Sequence, residues 1–425
     1  RRCMNRIILV GNGFDLAHNL RTSYKDFIEW FWEGYGEKLI NSTDKYENSI
    51  FVNADITTSR HYYSWKSYYE KKDCKSVLEF TKALRKETSI FRYNSKFFES
   101  INNSIELKGW VDIENEYYNQ LINNHSLDLL NTHLENLRDL LIQYLSEQQP
   151  LFGNCTIKKM QFDMLGPIHH NEVAISMKDR WMDFLKKRGN EQFNLEYYDY
   201  WMNLLQSYYN DDWATASFDG IRSFDKEFKQ QIENFGIGSV PIEYFPDDYF
   251  LPDRILLLNF NYTNVADQYL PTADRFSTIH IHGELSKPDG VIFGYGDEMD
   301  EGYDVLKKKN DNKYLKHMKT PRYLENDNYR RMEDFAESGP FQIYIMGHSC
   351  GNSDRTLLNT LFEHPNCVSI KPFYYVDKES GKDNYLDIVQ NISRNFTDAK
   401  KMRDRVVNKM YCLPLPQMEE ENVKK

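Results

Sequence analysis

His282 stands where an imidazole could move protons. It directly follows the apolar run Thr278–Ile281 and precedes Gly283. Histidine titrates near neutrality without a large perturbation, which suits a general base; a purely structural histidine fits the same position. Asn259 and Asn261 close the apolar run Ile255–Leu258. Two positions apart, they share a face if the strand continues through them, and a buried amide requires partners such as ribose hydroxyls or a bound water. Closing a turn is their alternative duty. His280 and His282 also alternate by two, but no further ligand stands at a matching spacing, so no metal is expected.

Glycines mark two more places. Gly11-Asn12-Gly13 ends the run Ile7–Val10. Glycine there lets the backbone turn tightly and approach a phosphate, and the N–H groups of a helix start favour anions. The third glycine of the dinucleotide fingerprint and the Walker Lys-Ser/Thr are both missing, and an ordinary turn carries the same pattern. Gly347–Gly351 matches the nucleophile elbow G-x-S-x-G. That chemistry needs an acid and then a histidine after the serine, and only His364 follows. Gly347, His348 and Ser349 are therefore expected to line a nucleotide site. Asp112 and Glu114 lie at the start of the helical pattern Tyr117, Tyr118, Leu121, where acids favour the helix N-terminus or reach toward the same crevice.

The elements that position these residues are short apolar runs, each followed at once by small or polar residues. Strands are expected at Arg6–Val10, Ile255–Leu258, Thr278–Ile281, Val291–Phe293 and Phe341–Met346, with Val368–Ile370 and Phe373–Val376 supplying one more at an edge. Continuous apolar runs suit parallel strands buried on both faces. The expected fold is α/β and Rossmann-like, with a mostly parallel sheet. In such sheets ligands bind outside the carboxyl ends of the strands, where strand order reverses; Gly11, Asn261, His282, Gly294 and Gly347 all fall at such ends. From about Ser23 to Phe245 the chain is rich in Tyr, Asn, Glu and Lys with mainly helical patterning. A discontinuous main domain, 1–30 and 250–425, is thus expected to carry a large, mainly helical insertion, 31–249, after its first strand-helix unit. Leu127, Leu130, Leu134, Leu137 and Leu141 follow a three-four spacing, either a core stripe or an oligomer seam.

Bulk properties narrow the partners. The 425-residue chain carries a net charge of −11, and its short basic clusters, Lys307–Lys309 and Lys400–Arg405, sit among acids. A protein built to grip a nucleic-acid backbone shows a basic excess or stripe, so a small ligand or a protein is the expected partner. Six dispersed cysteines without a CxxC pair suit free thiols in a reducing cytoplasm. No apolar run approaches the roughly 20 residues that span a membrane.

Together, the segments Ile8–Asp15, Thr22–Phe27, Trp110–Glu114, Asn259–Thr263, His282-Gly283, Phe293–Gly296 and Gly347–Asp354 resemble the AbiH family of bacterial abortive-infection proteins. AbiH sequences in turn resemble the sirtuin-like NAD-binding fold. The resemblance implies that Gly11-Asn12-Gly13 holds the dinucleotide phosphates, with Phe14 and Asp15 also in the cofactor site, that Asn261 lies near the nicotinamide ribose and that His282 is catalytic. It places Gly347-His348-Ser349 on the adenosine side, with Asn259, Thr263, Gly283, Gly294 and Asp354 completing the nucleotide site. Sirtuins commonly carry Asp two positions after the asparagine, where this chain has Thr263. The paired-cysteine zinc module of deacylases is absent, so protein deacylation is not expected. The implied activity is an antiphage effector that binds NAD and hydrolyses its nicotinamide–ribose bond. The alternatives are a non-catalytic nucleotide sensor controlling assembly with a partner and, behind it, a nuclease or phosphoesterase. Expected partners are a second copy through the insertion helices and a phage-derived trigger or companion protein.

Overall fold

The computed structural model describes residues 4–190, apart from 58, 60, 124 and 125, and residues 251–419. The expected link at Gly236–Pro252 lies almost wholly outside the described residues, as does the 191–249 part of the expected insertion.

The described strands are, in chain order, β1 Asn5–Val10, β2 Tyr46–Asn48, β3 Val52–Asp55, β4 Phe91–Tyr93, β5 Ile255–Asn259, β6 Phe276–His280, β7 Phe341–Met346 and β8 Cys367–Phe373. Five of them form one parallel sheet in the order β6-β5-β1-β7-β8. Counted along the chain, that order is third, second, first, fourth, fifth, so the direction of winding reverses between β1 and β7. Every residue of β1, β5, β7 and β8 is buried. That explains why their apolar residues cluster in runs such as Ile7–Val10, Ile255–Leu258 and Ile343–Met346 rather than alternating with exposed ones. On one face Ile8, Val10, Ile255, Leu257, Tyr344 and Met346 pack with Phe14, Met160, Met164, Leu165 and Tyr269. Edge strand β6 is only half-buried, in keeping with its Ser277 and Thr278.

Val291–Phe293, expected to be a strand, is not one. These residues are buried, and three apolar residues bury as readily in a loop, which periodicity cannot distinguish. The fifth strand is instead β8, which takes in Val368–Ile370 and Phe373 and lies at the sheet edge.

The chain divides into two compact units. One comprises Arg1–Leu20, Phe152–Val291 and Tyr323–Lys425 and holds the parallel sheet. The segment Phe152–Asn190, assigned from sequence to the insertion, packs in this unit. The other comprises Arg21–Leu151 and Ile292–Arg322. It holds the antiparallel sheet β2-β3-β4 and the helices Tyr24–Asn41, Lys96–Lys108, Ile113–Asn123 and Leu127–Gln148. Ser23 starts the first of these with a capping box: its hydroxyl accepts from the Asp26 N–H while Asp26 accepts from the Ser23 N–H. The five leucines Leu127, Leu130, Leu134, Leu137 and Leu141 are buried within this unit, which makes the stripe a core stripe. The acids near Trp110 divide their labour: Asp112 accepts from the Asn115 N–H at the helix start, whereas buried Glu114 holds the Gly294 N–H and Lys319 Nζ, each at 3.0 Å.

Candidate functional site

At the reversal of strand order, the ends of β1 and β7 meet backbone to backbone. A Cβ on Gly11 would lie 2.5 Å from the His348 Cα, and one on Gly13 would lie 2.9 Å from the Gly347 Cα. Gly347 has φ +81°, and a Cβ there would lie 2.1 Å from the Phe14 nitrogen. Only glycine permits this approach. The Gly13 N–H donates to the Gly347 carbonyl at 2.8 Å, and the Phe14 N–H to the Gly11 carbonyl at 2.9 Å. The glycine pattern is thus fully used in joining the two strand ends, and two N–H groups that could have met a phosphate are engaged there.

Beside this junction lies a buried polar cluster. The six-residue helix Asn12–Ala17 carries Asp15, which is 2% exposed. Its Oδ2 accepts from the Thr263 hydroxyl at 2.6 Å and its Oδ1 from Asn261 Nδ2 at 3.1 Å. Asn261 Nδ2 also donates to the Gly11 carbonyl at 2.9 Å. Asn259 shapes the turn: its Oδ1 accepts the Asn261 N–H at 2.9 Å, and its Nδ2 donates to the Thr263 carbonyl at 3.1 Å. Burial lifts the Asp15 carboxyl to about 7, against the pull of its bonds to Thr263 and Asn261. His18, one turn on, is locked neutral. Its Nδ1 bonds the Phe14 carbonyl at 2.7 Å and its Nε2 the Tyr269 hydroxyl at 2.5 Å, and burial pushes it down to about 4.

A second cluster gathers at the ends of β6 and β7. His282 is 4% exposed, and its Nε2 lies 3.1 Å from both Asp354 Oδ1 and the Tyr323 hydroxyl. The other Asp354 oxygen lies 3.4 Å from His348 Nε2, while His348 Nδ1 accepts the Cys350 N–H at 3.0 Å. A carboxylate can only accept, so the proton of neutral His282 sits on Nε2. On His348 the Nδ1 lone pair is occupied by the Cys350 N–H. The Phe260 ring packs against this second cluster, edge-on to His282 at 5.3 Å and 4.2 Å from the His348 ring.

The family comparison decides the assignment: the model for bacteriophage abortive infection AbiH matches residues 7–376, which takes in nearly all of the parallel sheet. The chain belongs to the AbiH family. Membership supports an antiphage abortive-infection role. No curated protein and no solved structure matches the chain. Among the described residues, no helix is long and apolar enough to cross a membrane.

In this AbiH chain the structure brings Gly11, Asp15, Asn259, Asn261 and Thr263 together, and likewise His282, His348 and Asp354. Asn12 is exposed beside them. Phe14, expected in the cofactor site, lies fully buried in the core, edge-on to Tyr269 at 5.1 Å. Gly283 has φ +84° and makes a turn against which Gly290 packs. Gly294 follows no strand of the sheet and belongs to the other unit, where a Cβ would strike the His317 carbonyl. Ser349 is exposed, and the left-handed residues of its motif are Gly347 and Cys350, with φ +81° and +54°. His364 pairs with Glu337 at 3.2 Å. His280 is held by Asp267 at 2.8 Å, an attraction that keeps the imidazole above its usual range although burial opposes it. Sequence reasoning missed Tyr323 and Phe260. Tyr323 lies 41 residues from His282 with no local signal, whereas Phe260, between Asn259 and Asn261, was discoverable as an apolar residue on the opposite face of the pair.

Proposed function

We propose that the chain serves abortive infection by binding NAD and hydrolysing its nicotinamide–ribose bond. The observation that carries this reading is the His282–Asp354 pair on strand ends neighbouring the clamped Asn261, next to the reversal of strand order. Crevices at that point of a parallel sheet receive nucleotides.

The bond between ribose C1′ and the pyridinium nitrogen breaks with its electron pair passing to the nitrogen, so nicotinamide leaves neutral and positive charge develops on the ribose, as in glycoside hydrolysis. Water adds to C1′ and gives up a proton to His282; the products are ADP-ribose, nicotinamide and one proton. Asp354 fixes the ring and stabilises the imidazolium, and such base catalysis typically contributes about 10²–10⁴-fold. Asn261 orients a ribose hydroxyl or the attacking water. His282 and Asn261 are both buried at the strand ends.

The test is to incubate the purified protein with NAD and follow nicotinamide release, alongside His282→Ala and Asn261→Ala. Release by the wild type and a loss of at least about 10²-fold in both variants is the expected result. Bound NAD without release would favour a nucleotide sensor. Neither binding nor release, with or without a trigger, would overturn the NAD assignment.

A further inference from the structure

Asp15 is a buried carboxyl without a counter-charge. Its partners are two neutral donors, Thr263 and Asn261, and among the described residues no cation pairs with it. A carboxylate in such a place is costly unless something else requires it. The amide beside it shows what that is. Both hydrogens of Asn261 Nδ2 are spent, one on the Gly11 carbonyl and one on Asp15. Both partners are acceptors, so the amide cannot be turned over. Its oxygen, Oδ1, receives no hydrogen bond from the described residues.

We infer that Asp15 is the positioning residue of this site: it holds Asn261 with its carbonyl oxygen outward, and so selects a ligand group that donates, such as a ribose hydroxyl or a water. Ionised Asp15 does more than orient. A charge-assisted N–H···O⁻ bond polarises the amide and makes its oxygen a stronger acceptor. Protonated Asp15 is close in shape and charge to an asparagine, so Asp15→Asn imitates the protonated form at every pH. The inference rests on the NAD reading only for the identity of the donor; the Asp15–Asn261 coupling stands without it.

Among the described residues, His18 lies on the same helix as Asp15 and is held neutral; on the turn Val265–Tyr269, Asp267 raises Asp15 and is paired to His280; His282, Tyr323, His348, Cys350 and Asp354 stand at the neighbouring strand ends. His280 is itself raised above its usual range, so the experiment must separate the two. The side-chain amide resonances of Asn261 are followed by NMR from pH 5 to 9 in the ligand-free protein, for wild type, Asp15→Asn and Thr263→Val. In wild type they shift with a midpoint near 7. In Asp15→Asn, which keeps His280, that shift disappears. In Thr263→Val, which loses a donor that favours the carboxylate, the midpoint moves up. With NAD as the probe, nicotinamide release by wild type rises through the same midpoint, and Asp15→Asn lowers kcat about tenfold or more above it while KM changes little. An unchanged amide titration in Asp15→Asn would overturn the inference whatever NAD does. An amide titration that vanishes in Asp15→Asn, in a protein that neither binds nor cleaves NAD, would leave the positioning role intact and remove only the NAD reading.

Discussion

Two of the places where the sheet unit buries ionisable groups treat them in opposite ways. Against one face of the sheet, Arg6 is fully buried and fully satisfied. Its guanidinium donates to the carbonyls of Met164, Gly166 and Pro167, to Gln342 Oε1 and to the Tyr344 hydroxyl, and it lies 4.0 Å over the Tyr344 ring. Nearby, Lys371 Nζ meets Glu172 Oε1 at 2.5 Å while Gln342 Nε2 donates to the other Glu172 oxygen at 2.6 Å. Burial pulls the Lys371 ammonium down, but Tyr344 and Glu172 outweigh it and hold it above its usual range. At the strand ends Asp15 has hydrogen bonds but no opposite charge, and its carboxyl rises. Compensated burial staples the segment Met164–Glu172 onto the sheet. Uncompensated burial yields a group that titrates near neutrality, which is the signature of a functional site.

The contrast can be broken most severely at the paired end. Glu172→Ala leaves Lys371 buried without its partner and is expected to destabilise the unit by about 3–5 kcal/mol, read from chemical unfolding. Asp15→Asn is expected to act in the opposite direction. Folded Asp15 keeps its proton until about pH 7, whereas the unfolded residue loses it near 3.8. Folding therefore takes up a proton between those values, and the associated stability decays as pH climbs through the window and is gone above it. The linkage amounts to roughly 4 kcal/mol. Asp15→Asn should thus be more stable than wild type at pH 8, with the difference shrinking toward pH 5; a variant less stable than wild type at pH 8 would mean that Asp15 is a structural acceptor. His18 has the opposite slope, its neutral form failing as pH falls from 6.5 toward about 4, so the comparison must be between variants at each pH. A finer adjustment is Asp267→Asn. It removes a like charge and should lower the Asp15 midpoint by less than about one pH unit, again read from the Asn261 amide. The smallest effect belongs to Ser349→Ala, expected within about 0.5 kcal/mol of wild type and without loss of nicotinamide release; loss of release would reinstate the serine as a nucleophile.

Much of the fold was legible because a parallel strand buried on both faces is mostly apolar. Arg6–Val10, Ile255–Leu258 and Phe341–Met346 therefore announced themselves, even though β1 carries a charged residue on a buried face. Val291–Phe293 has the same appearance and is no strand, because nothing in three apolar residues says whether a hydrogen-bonding neighbour runs alongside. Gly11, Gly13 and Gly347 were legible as glycines that something approaches closely. What approaches is backbone from the other strand end, and the spacing could not show that.

The sequence alone determined which residues stand at the strand ends: Asp15, Asn261, His282 and His348 follow apolar runs, and that placement is local. Tertiary structure decided which of them meet. Asp15 reaches Asn261 and Thr263 across 246 and 248 residues, and His282 finds Tyr323 across 41. Strand order sets those encounters, and strand order depends on how the whole sheet is wound. Proton affinity is decided at the same level, because it follows from how much water and opposite charge remain around a group once the chain has closed over it.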